Sequence, residues 1–241
     1  MAVAGRRVAQ VLVGTSGFSY PSWRGTFYPE DLPAREMLRF YGRAFGTVEI
    51  NNTFYRMPTP SLLAGWKPQT PVGFRFALKA PQRITHELRL RDAAEPTARF
   101  CAVAAILGPK QGPILFQLPP HLRADAARLK DFLATLPSGA DAAFEFRHPT
   151  WFSDDVYALL DAHRAALCIA DSETLTTPAV ATAPFGYLRL RRDGYGAAEL
   201  DVWATRIRDM TRWKRAYVYF KHDTAGRAAE LGRTFLERLS G

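Results

Sequence analysis

The segment FEFRHPTW, residues 144–151, alternates apolar and charged side chains, as a β-strand with two different faces does. Phe144 and Phe146 would point to one side of such a strand, and Glu145 and Arg147 to the other. Charged groups are costly to keep away from water unless they are paired. The fold must therefore place the charged face of this strand where it meets partners or solvent.

Segments of similar strand character recur along the chain at 10–14, 47–51, 74–80, 113–119, 142–148, 166–171, 187–191 and 216–222. Segments with the period of amphipathic helices lie between most of them, at 33–45, 125–136, 153–163, 199–212 and 225–239. Strands that alternate with helices indicate parallel βαβ units. The chain has 241 residues, and a TIM barrel typically has ~250. We predict one α/β domain, a (β/α)8 TIM-barrel-like fold over residues 1–241.

An open doubly wound sheet is the alternative arrangement of such units. Its central strands are covered by helices on both faces and are therefore apolar throughout. Here Val48 and Ile50 flank Glu49, and Leu188 precedes Arg189, so single strands carry one oily and one polar face. A barrel explains this pattern, because the oily face packs on the outer helices and the polar face lines the lumen.

The predicted inward set is Glu49, Asn51, Lys79, Gln117, Glu145, Arg147, Arg189, Arg191 and Lys221. Most of these residues come late in their strands, at the end of a barrel where known barrel enzymes hold their sites. Ion pairs such as Glu145 with Arg189, or Glu49 with Lys79, would make their burial tolerable. The pairs either fill the lumen structurally or form a pocket in which a carboxylate acts as general acid or base. Because cations outnumber carboxylates in the set, we expect a negatively charged ligand.

The chain is basic, with a formal net charge of +9 and a pI of about 9.8. Such a balance favours phosphorylated small molecules, nucleic acid or an acidic partner, although solvated arginines on helices also explain it. Aromatic residues in the loops after the strands would stack on sugar rings or bases, or would pack the loops together. Nucleic-acid binding is therefore the second hypothesis, and a non-catalytic sensor or scaffold is the third.

Other classes of site have weaker support. Cys101 and Cys168 offer no metal-ligand spacing. A metal site of His148, Asp171, His222 and Glu49 is conceivable, but the cations interleaved among them would repel a metal ion. We expect neither a metal nor a cofactor. No stretch approaches the ~20 apolar residues of a membrane span and no signal segment is evident, so we expect a cytoplasmic protein without membrane contact. The oligomeric state stays open.

Seven motifs in order resemble the DUF72 (YecE-like) family: GTSGFSYPSWRGTFYP, FGTVEINNTFYR, FRFALKAPQRITH, GPILFQLPP, FEFRHPTW, YLRLRRDGY and YVYFKHDTAG, within residues 13–226. The resemblance implies a TIM-barrel-like fold and no particular reaction. The chain has LRR at 190–192 and KHD at 221–223, where many members have LHG and NND, so it is similar to a more cationic form of the family.

The inward set and the resemblance together give the candidate site. We predict catalytic roles for Glu145, Glu49 and His148. We predict ligand-binding roles for Ser16, Trp23, Asn51, Thr53, Tyr55, Lys79, Gln117, Arg147, Trp151, Arg189, Lys221 and Asp223. The expected ligand is a small anion that bears phosphate or sugar.

Overall fold

The computed structural model describes residues 9–192, 194–221 and 225–240. Eight strands run through these residues, and every neighbouring pair in the sheet is parallel. They are β1 (Gln10–Thr15), β2 (Thr47–Ile50), β3 (Arg75–Lys79), β4 (Gln111–Gln117), β5 (Ala142–Glu145), β6 (Ala166–Asp171), β7 (Phe185–Leu190) and β8 (Arg215–Phe220). Each overlaps a strand predicted from the sequence, although β5 ends at Glu145 rather than at residue 148, so Arg147 follows the strand instead of lying in it. The order β1-β8-β7-β6-β5-β4-β3-β2 is that of a parallel barrel opened between β1 and β2.

The seam between β1 and β2 is nearly closed. Ser16 and Glu49 form a parallel bridge there, and the Gly17 N–H donates to the Glu49 carbonyl oxygen at 2.8 Å. A Cβ on Gly14 would lie 2.0 Å from the Thr47 carbonyl oxygen, so the two strands approach this closely only because residue 14 is glycine. The prediction of a barrel rather than an open sheet is confirmed.

A tyrosine hydroxyl strengthens the same seam. Tyr41 Oη accepts a hydrogen bond from the Thr15 N–H at 2.8 Å and donates one to the Thr47 carbonyl oxygen at 3.0 Å. It thereby joins main-chain groups of β1 and β2 that do not bond each other directly. Buried main-chain polar groups need such partners, because leaving one unpaired is costly.

Seven α-helices lie within the described residues: α1 (Met37–Ala44), α2 (Pro60–Trp66), α3 (Ala94–Ala104), α4 (Ala126–Ala134), α5 (Asp154–Ala162), α6 (Ala197–Asp209) and α7 (Arg227–Ser240). The five helices predicted from periodicity are confirmed, and α2 was not predicted. No α-helix joins β6 to β7, although residues 172–184 are all described. This segment contains Pro178 and Pro184, which cannot donate the hydrogen bonds of a helix interior. None of the described helices is long and apolar enough to cross a membrane.

The two faces of the strands pack as expected. Outside the barrel, Phe116 of β4 stacks on Phe144 of β5 and contacts Phe132 of α4, with ring centroids 5.2 Å apart in both pairs. Inside, a separate apolar cluster fills the lumen: Leu12, Ala77, Leu115, Ala143, Ala166, Cys168, Ala183, Phe185, Tyr187, Tyr217 and Tyr219. The middle of the lumen is thus a packed core, and the charged side chains of the predicted inward set lie at its C-terminal end.

Candidate functional site

Arg189 of β7 lies at the centre of the C-terminal end of the lumen and is 2% exposed. Its Nη2 donates to Glu49 Oε1 at 2.8 Å, and its Nη1 donates to Glu145 Oε2 and to Gln117 Oε1. We refer to Glu49, Gln117, Glu145 and Arg189 as the Arg189 network. One guanidinium therefore joins four strands, because these residues come from β2, β4, β5 and β7.

Glu49 is fully buried and has hydrogen-bond donors on both carboxylate oxygens. Ser16 donates to Oε1 at 2.7 Å, and Tyr187 donates to Oε2 at 2.7 Å. Asn51 adds a third neutral donor at 3.1 Å. Burial alone would raise the pKa of Glu49, but Arg189 and these hydrogen bonds hold it below its ordinary value. The carboxylate therefore stays charged, and Arg189 balances its charge within the network.

Glu145 is also buried and is surrounded by three guanidinium groups. Arg147 Nε donates to its Oε1 at 2.9 Å and Arg191 Nη1 at 3.4 Å, while Arg189 occupies Oε2. Burial opposes ionisation, but the three arginines lower the pKa of Glu145 to about 2. A carboxyl with this pKa has no proton to give near neutral pH and is a weak base. These geometries favour a counter-charge role for both glutamates over the predicted acid–base role.

The pairing expected from the sequence is half right. The ion pair between Glu145 and Arg189 is confirmed. The pair between Glu49 and Lys79 is wrong, because Arg189 is the cation that Glu49 meets. Lys79 instead places its ammonium 3.9 Å from the centroid of the Phe54 ring.

A cavity of about 440 Å3 opens directly above the Arg189 network. We call it the mouth cavity; it is lined by Tyr20, Asn51, Phe54, Tyr55, Lys79, Gln82, His86, Gln117, Arg147, Arg189, Arg191 and Lys221. Five of these described side chains are cationic and none is a carboxylate. The nearest carboxylates, Glu49 and Glu145, lie beneath and are already hydrogen-bonded to arginine.

The lining residues Lys79 and His86 have lowered pKa values. Burial, together with repulsion from Arg189 and Arg147, lowers the pKa of Lys79 to about 8. Burial and the charges of Lys79 and Arg147 lower the pKa of His86, so its imidazole is neutral at pH 7. The mouth cavity thus contains a lysine that titrates not far above neutral pH and a histidine that is neutral there.

Two further cavities adjoin the mouth cavity. One of about 520 Å3 is mainly apolar, has Phe18, Met57 and Trp66 in its wall, and shares Tyr20 and Asn51 with the mouth cavity. The other, of about 470 Å3, lies between the loops after β5 and β6 and shares Arg147 and Arg191. The C-terminal face therefore has room for a ligand larger than a simple anion.

The structure brings most of the predicted site residues together. The mouth cavity is lined by Asn51, Tyr55, Lys79, Gln117, Arg147, Arg189 and Lys221. Glu49, Glu145 and Ser16 lie directly below it. Thr53 lines the adjoining apolar cavity and donates to the Lys79 carbonyl oxygen at 2.6 Å, which fixes the end of β3. Asp223 lies outside the described residues.

Three predicted site residues have structural surroundings instead. Trp23 is fully buried and packs on Tyr20 and Phe27. Trp151 is fully buried against Phe146, with ring centroids 4.5 Å apart. These burials disagree with the predicted ligand-binding roles, because the indoles pack the loops that form the mouth and offer no face to a ligand.

His148 also has structural surroundings. Its Nδ1 accepts a hydrogen bond from the Thr150 N–H at 3.3 Å and so begins the short helix Pro149–Trp151. His148 is not among the residues that line the mouth cavity. The predicted catalytic role therefore does not agree with this position.

The conceivable metal site is not assembled in the described part of the chain. No group of three or more described His, Cys, Asp or Glu residues is arranged to hold a metal ion. Asp171 accepts hydrogen bonds from Thr176 at 3.0 Å and from Tyr195 at 2.9 Å, away from Glu49. His222 lies outside the described residues.

The sequence-based site omitted four residues that matter to this geometry. Tyr187 could have been predicted from the sequence. It lies two residues before Arg189 on the same strand and therefore faces the lumen as Arg189 does. His86, Phe54 and Tyr20 lie in loops, where no periodicity shows which way a side chain points. Their position after strands predicts that they lie near the mouth, and the folded loops show that all three line the mouth cavity.

Comparison with known proteins gives consistent relatives. The family model described as "Protein of unknown function DUF72" matches residues 12–241. The protein YecE of Escherichia coli (strain K12), which carries the family label UPF0759, is 31% identical over 144 residues, covering 59% of this chain and 50% of YecE. YunF of Bacillus subtilis (strain 168), with the same label, is 25% identical over 89% of this chain and 90% of its own length. The crystal structure of a DUF72 family protein from Thermotoga maritima MSB8 superposes with a TM-score of 0.86 at 26% identity, covering 96% of this chain and all of that one.

Proposed function

This chain belongs to the DUF72 family, and we propose that its barrel binds a small anionic ligand, one that bears phosphate or carboxylate, in the mouth cavity. The observation that carries the proposal is the charge of the cavity wall. Five cationic side chains line it, and no described carboxylate does. Like charges gathered in a partly buried space repel each other, and an anion in their midst would relieve that repulsion.

The arginines of the wall retain donors for such a ligand. Arg147 uses its Nε and Arg191 its Nη1 to reach Glu145. A guanidinium has five N–H donors, so both side chains have further N–H groups to offer. They are 30% and 22% exposed, which leaves part of each open to solvent. Glu145 thus holds the guanidinium groups of Arg147 and Arg191 in place. The paired N–H groups of a guanidinium match the oxygen spacing of phosphate and carboxylate.

The size and edges of the site suit a metabolite rather than a bare ion. The cavity of about 440 Å3 falls within the range of roughly 300–1,000 Å3 that is usual for small-molecule sites. Tyr55 stands at its rim and is 75% exposed, so its ring can cover a sugar or another flat group of the ligand. The adjoining apolar cavity would take a non-polar portion.

Calorimetric titration with inorganic pyrophosphate tests the proposal. The wild-type protein is compared with a double variant that lacks two wall cations, R147Q/R191Q. The matched control is R43Q/R99Q, which removes two exposed arginines from α1 and α3 and so gives the same net charge. We expect R147Q/R191Q to bind at least about tenfold more weakly, because each lost charge-assisted hydrogen bond is worth roughly 1.5–3 kcal/mol. The control should bind like the wild type.

Equal weakening in both double variants would overturn the proposal, because it would show that pyrophosphate responds to overall charge rather than to this cavity. Failure of the wild-type protein to bind pyrophosphate, sugar phosphates and small carboxylates at low salt would also overturn it. A ligand that is enriched from a metabolite mixture and recovered unchanged would favour a sensor over an enzyme.

Single-stranded nucleic acid is a second candidate, favoured by the exposed Tyr55 next to the cationic wall. Base stacking on such a ring contributes roughly 1–3 kcal/mol per base. A fluorescent oligonucleotide should then bind in a strongly salt-dependent way, and Y55A should weaken it about tenfold or more. Absence of salt-sensitive binding at low ionic strength would remove this candidate.

A further inference from the structure

Lys79 differs from the other cations of the mouth cavity in its surroundings. Its ammonium lies 3.9 Å from the centroid of the Phe54 ring. Within the described part of the chain, the nearest carboxylates, Glu49 and Glu145, are engaged by arginines and form no ion pair with it. The Thr53 hydroxyl bonds the Lys79 carbonyl oxygen at 2.6 Å, so the strand end that carries this side chain is fixed.

These surroundings favour the neutral amine. The ring face of Phe54 attracts an ammonium, but burial, aided by Arg189 and Arg147 and opposed by Glu145 and Glu49, lowers the pKa of Lys79 to about 8. At pH 7 the neutral fraction is then about 300-fold larger than for a lysine of ordinary pKa. Only the neutral amine has a lone pair with which to attack an electrophile.

His86 supplies a proton carrier next to this amine. Its ring contacts the same Phe54 ring edge to face, with centroids 4.9 Å apart. It lines the mouth cavity together with Lys79. Burial and the charge of Lys79 lower the pKa of His86, so its imidazole is neutral at pH 7 and has a lone pair that can accept a proton. Its Nδ1 is hydrogen-bonded to the Thr85 hydroxyl at 2.8 Å, so a relay would use Nε2.

We propose that Lys79 forms an imine with the aldehyde or ketone group of an anionic ligand whose charge is held by Arg147 and Arg191, an inference that rests on the proposed function. The Lys79 nitrogen bonds to the carbonyl carbon, and one proton passes from nitrogen to oxygen. The hydroxyl of this adduct then leaves with the second nitrogen proton as water, and the C=N bond remains. His86 relays the protons, and the step needs no oxidant or reductant.

The substrate class follows from this chemistry. It is a small carbonyl compound that also carries phosphate or carboxylate. A protonated imine withdraws electrons from the neighbouring carbon, so a C–H or C–C bond there becomes easier to break. The class of reaction is therefore a carbon–carbon cleavage or condensation, or an isomerisation, at the position next to the carbonyl.

Pyridoxal 5′-phosphate is a suitable probe, because it combines an aldehyde with a phosphate. The wild-type protein is treated at pH 7.5 with less than one equivalent, reduced with sodium borohydride, and the labelled lysines are located by peptide mass spectrometry. We expect Lys79 to take up at least about tenfold more label than exposed Lys130 in α4, in line with its larger neutral fraction. Pyrophosphate should suppress this labelling, and pyridoxal without the phosphate should label more slowly.

Two comparisons decide the outcome. K79M should lose the preferential label while K130M keeps it, and circular dichroism checks that both are folded. Pyridoxine 5′-phosphate lacks the aldehyde, so its calorimetric binding measures the anion site alone. If it binds in the mouth cavity but Lys79 is labelled no faster than Lys130, the imine inference is overturned while the proposed function stands. If it does not bind and Lys79 is not labelled, both are overturned.

Discussion

The Arg189 network and the wall of the mouth cavity are built from the same residue types, yet they differ in how their charges are balanced. In the network, the charge of Arg189 is met by Glu49 and Glu145 at hydrogen-bond distance, and all three are almost completely buried. In the wall just above, Arg147 and Arg191 share a single carboxylate and are partly open to solvent.

This difference separates structure from function. A buried pair of opposite charges must be complete, because removing one partner leaves the other stranded in a dry interior. An accessible group of cations that outnumbers its carboxylate partners is instead stabilised when it binds an anion. The network therefore supports the fold and the orientation of the arginines, and the wall is where we propose that the ligand binds. Independent measurements of stability and affinity separate the two roles.

Removal of the central guanidinium should have the largest effect. In R189M the carboxylates of Glu49 and Glu145 lose their shared partner, and we expect the free energy of unfolding to fall by about 3–5 kcal/mol. Urea unfolding measures this. The control R191M removes a partly exposed partner of Glu145 and should cost roughly 1 kcal/mol or less. Equal losses of unfolding free energy in R189M and R191M would show that the Arg189 network does not stabilise the fold more than the wall does.

Neutralising Glu145 should destabilise the protein in a pH-dependent way. Its pKa is lowered to about 2 in the folded state, from 4.5 in an unperturbed chain. Its stabilising contribution is therefore complete above about pH 4.5 and is lost as the pH falls towards 2. We expect E145Q to be less stable than wild type by about 2–3 kcal/mol at pH 7.

The pH profile provides the check on that prediction. The difference in unfolding free energy between wild type and E145Q should shrink as the pH is lowered from 4.5, because both side chains become uncharged. E237Q, which alters an exposed glutamate of α7, should show no such trend. A constant difference between E145Q and wild type down to pH 2.5 would contradict the low pKa of Glu145.

Loss of one neutral donor to the network should have a smaller effect. In Y187F the Glu49 carboxylate loses its 2.7 Å hydrogen bond. We expect a fall of about 1.5–2 kcal/mol in the free energy of unfolding, the low end for hydrogen bonds to charged groups, because Glu49 keeps its other donors. Pyrophosphate affinity should stay within about twofold of wild type. A large loss of affinity without loss of stability would place Tyr187 in the binding site rather than in its support.

The smallest expected effect is the change in anion affinity when Lys79, in the wall of the mouth cavity, loses its proton. Lys79 has a pKa of about 8, so its positive charge is lost as the pH rises from 7 to 9. The groups whose charges act on it are Glu49, Glu145, Arg147 and Arg189, and neutral His86 lies beside it. Arg191 and Lys221 line the same cavity.

Sulfate keeps its charge over that interval, so its affinity reports on the protein. We expect sulfate binding to weaken about threefold between pH 7 and 9, the effect of one partly screened charge. K79M should bind more weakly at pH 7 and show no such decline. A decline of the same size in K79M would assign the titration to another group.

Much of this organisation was predictable from the sequence. The alternation around Glu49, Glu145 and Arg189 gave the barrel and placed the charged residues at one end, because strand periodicity fixes the face on which a side chain lies. Periodicity does not specify partners. Glu49 meets Arg189 rather than Lys79 because the register of eight strands around the lumen decides which side chains converge.

The loops were the harder part. Trp23, Trp151 and His148 follow strands as ligand-binding residues often do, yet they pack and cap the loops themselves. His86 and Phe54 follow strands in the same way and do line the mouth cavity. Loop residues have no periodic pattern, so the three-dimensional path of each loop was needed to separate the two groups.

The most direct test of the central claim is to locate a bound anion. Crystals soaked in sodium tungstate, examined at the tungsten absorption edge, should give an anomalous peak within hydrogen-bond distance of Arg147, Arg191 or Lys79, and the Arg189 network should keep its hydrogen bonds. A strong peak on the arginines of the outer helices, with the mouth cavity empty, would contradict the account.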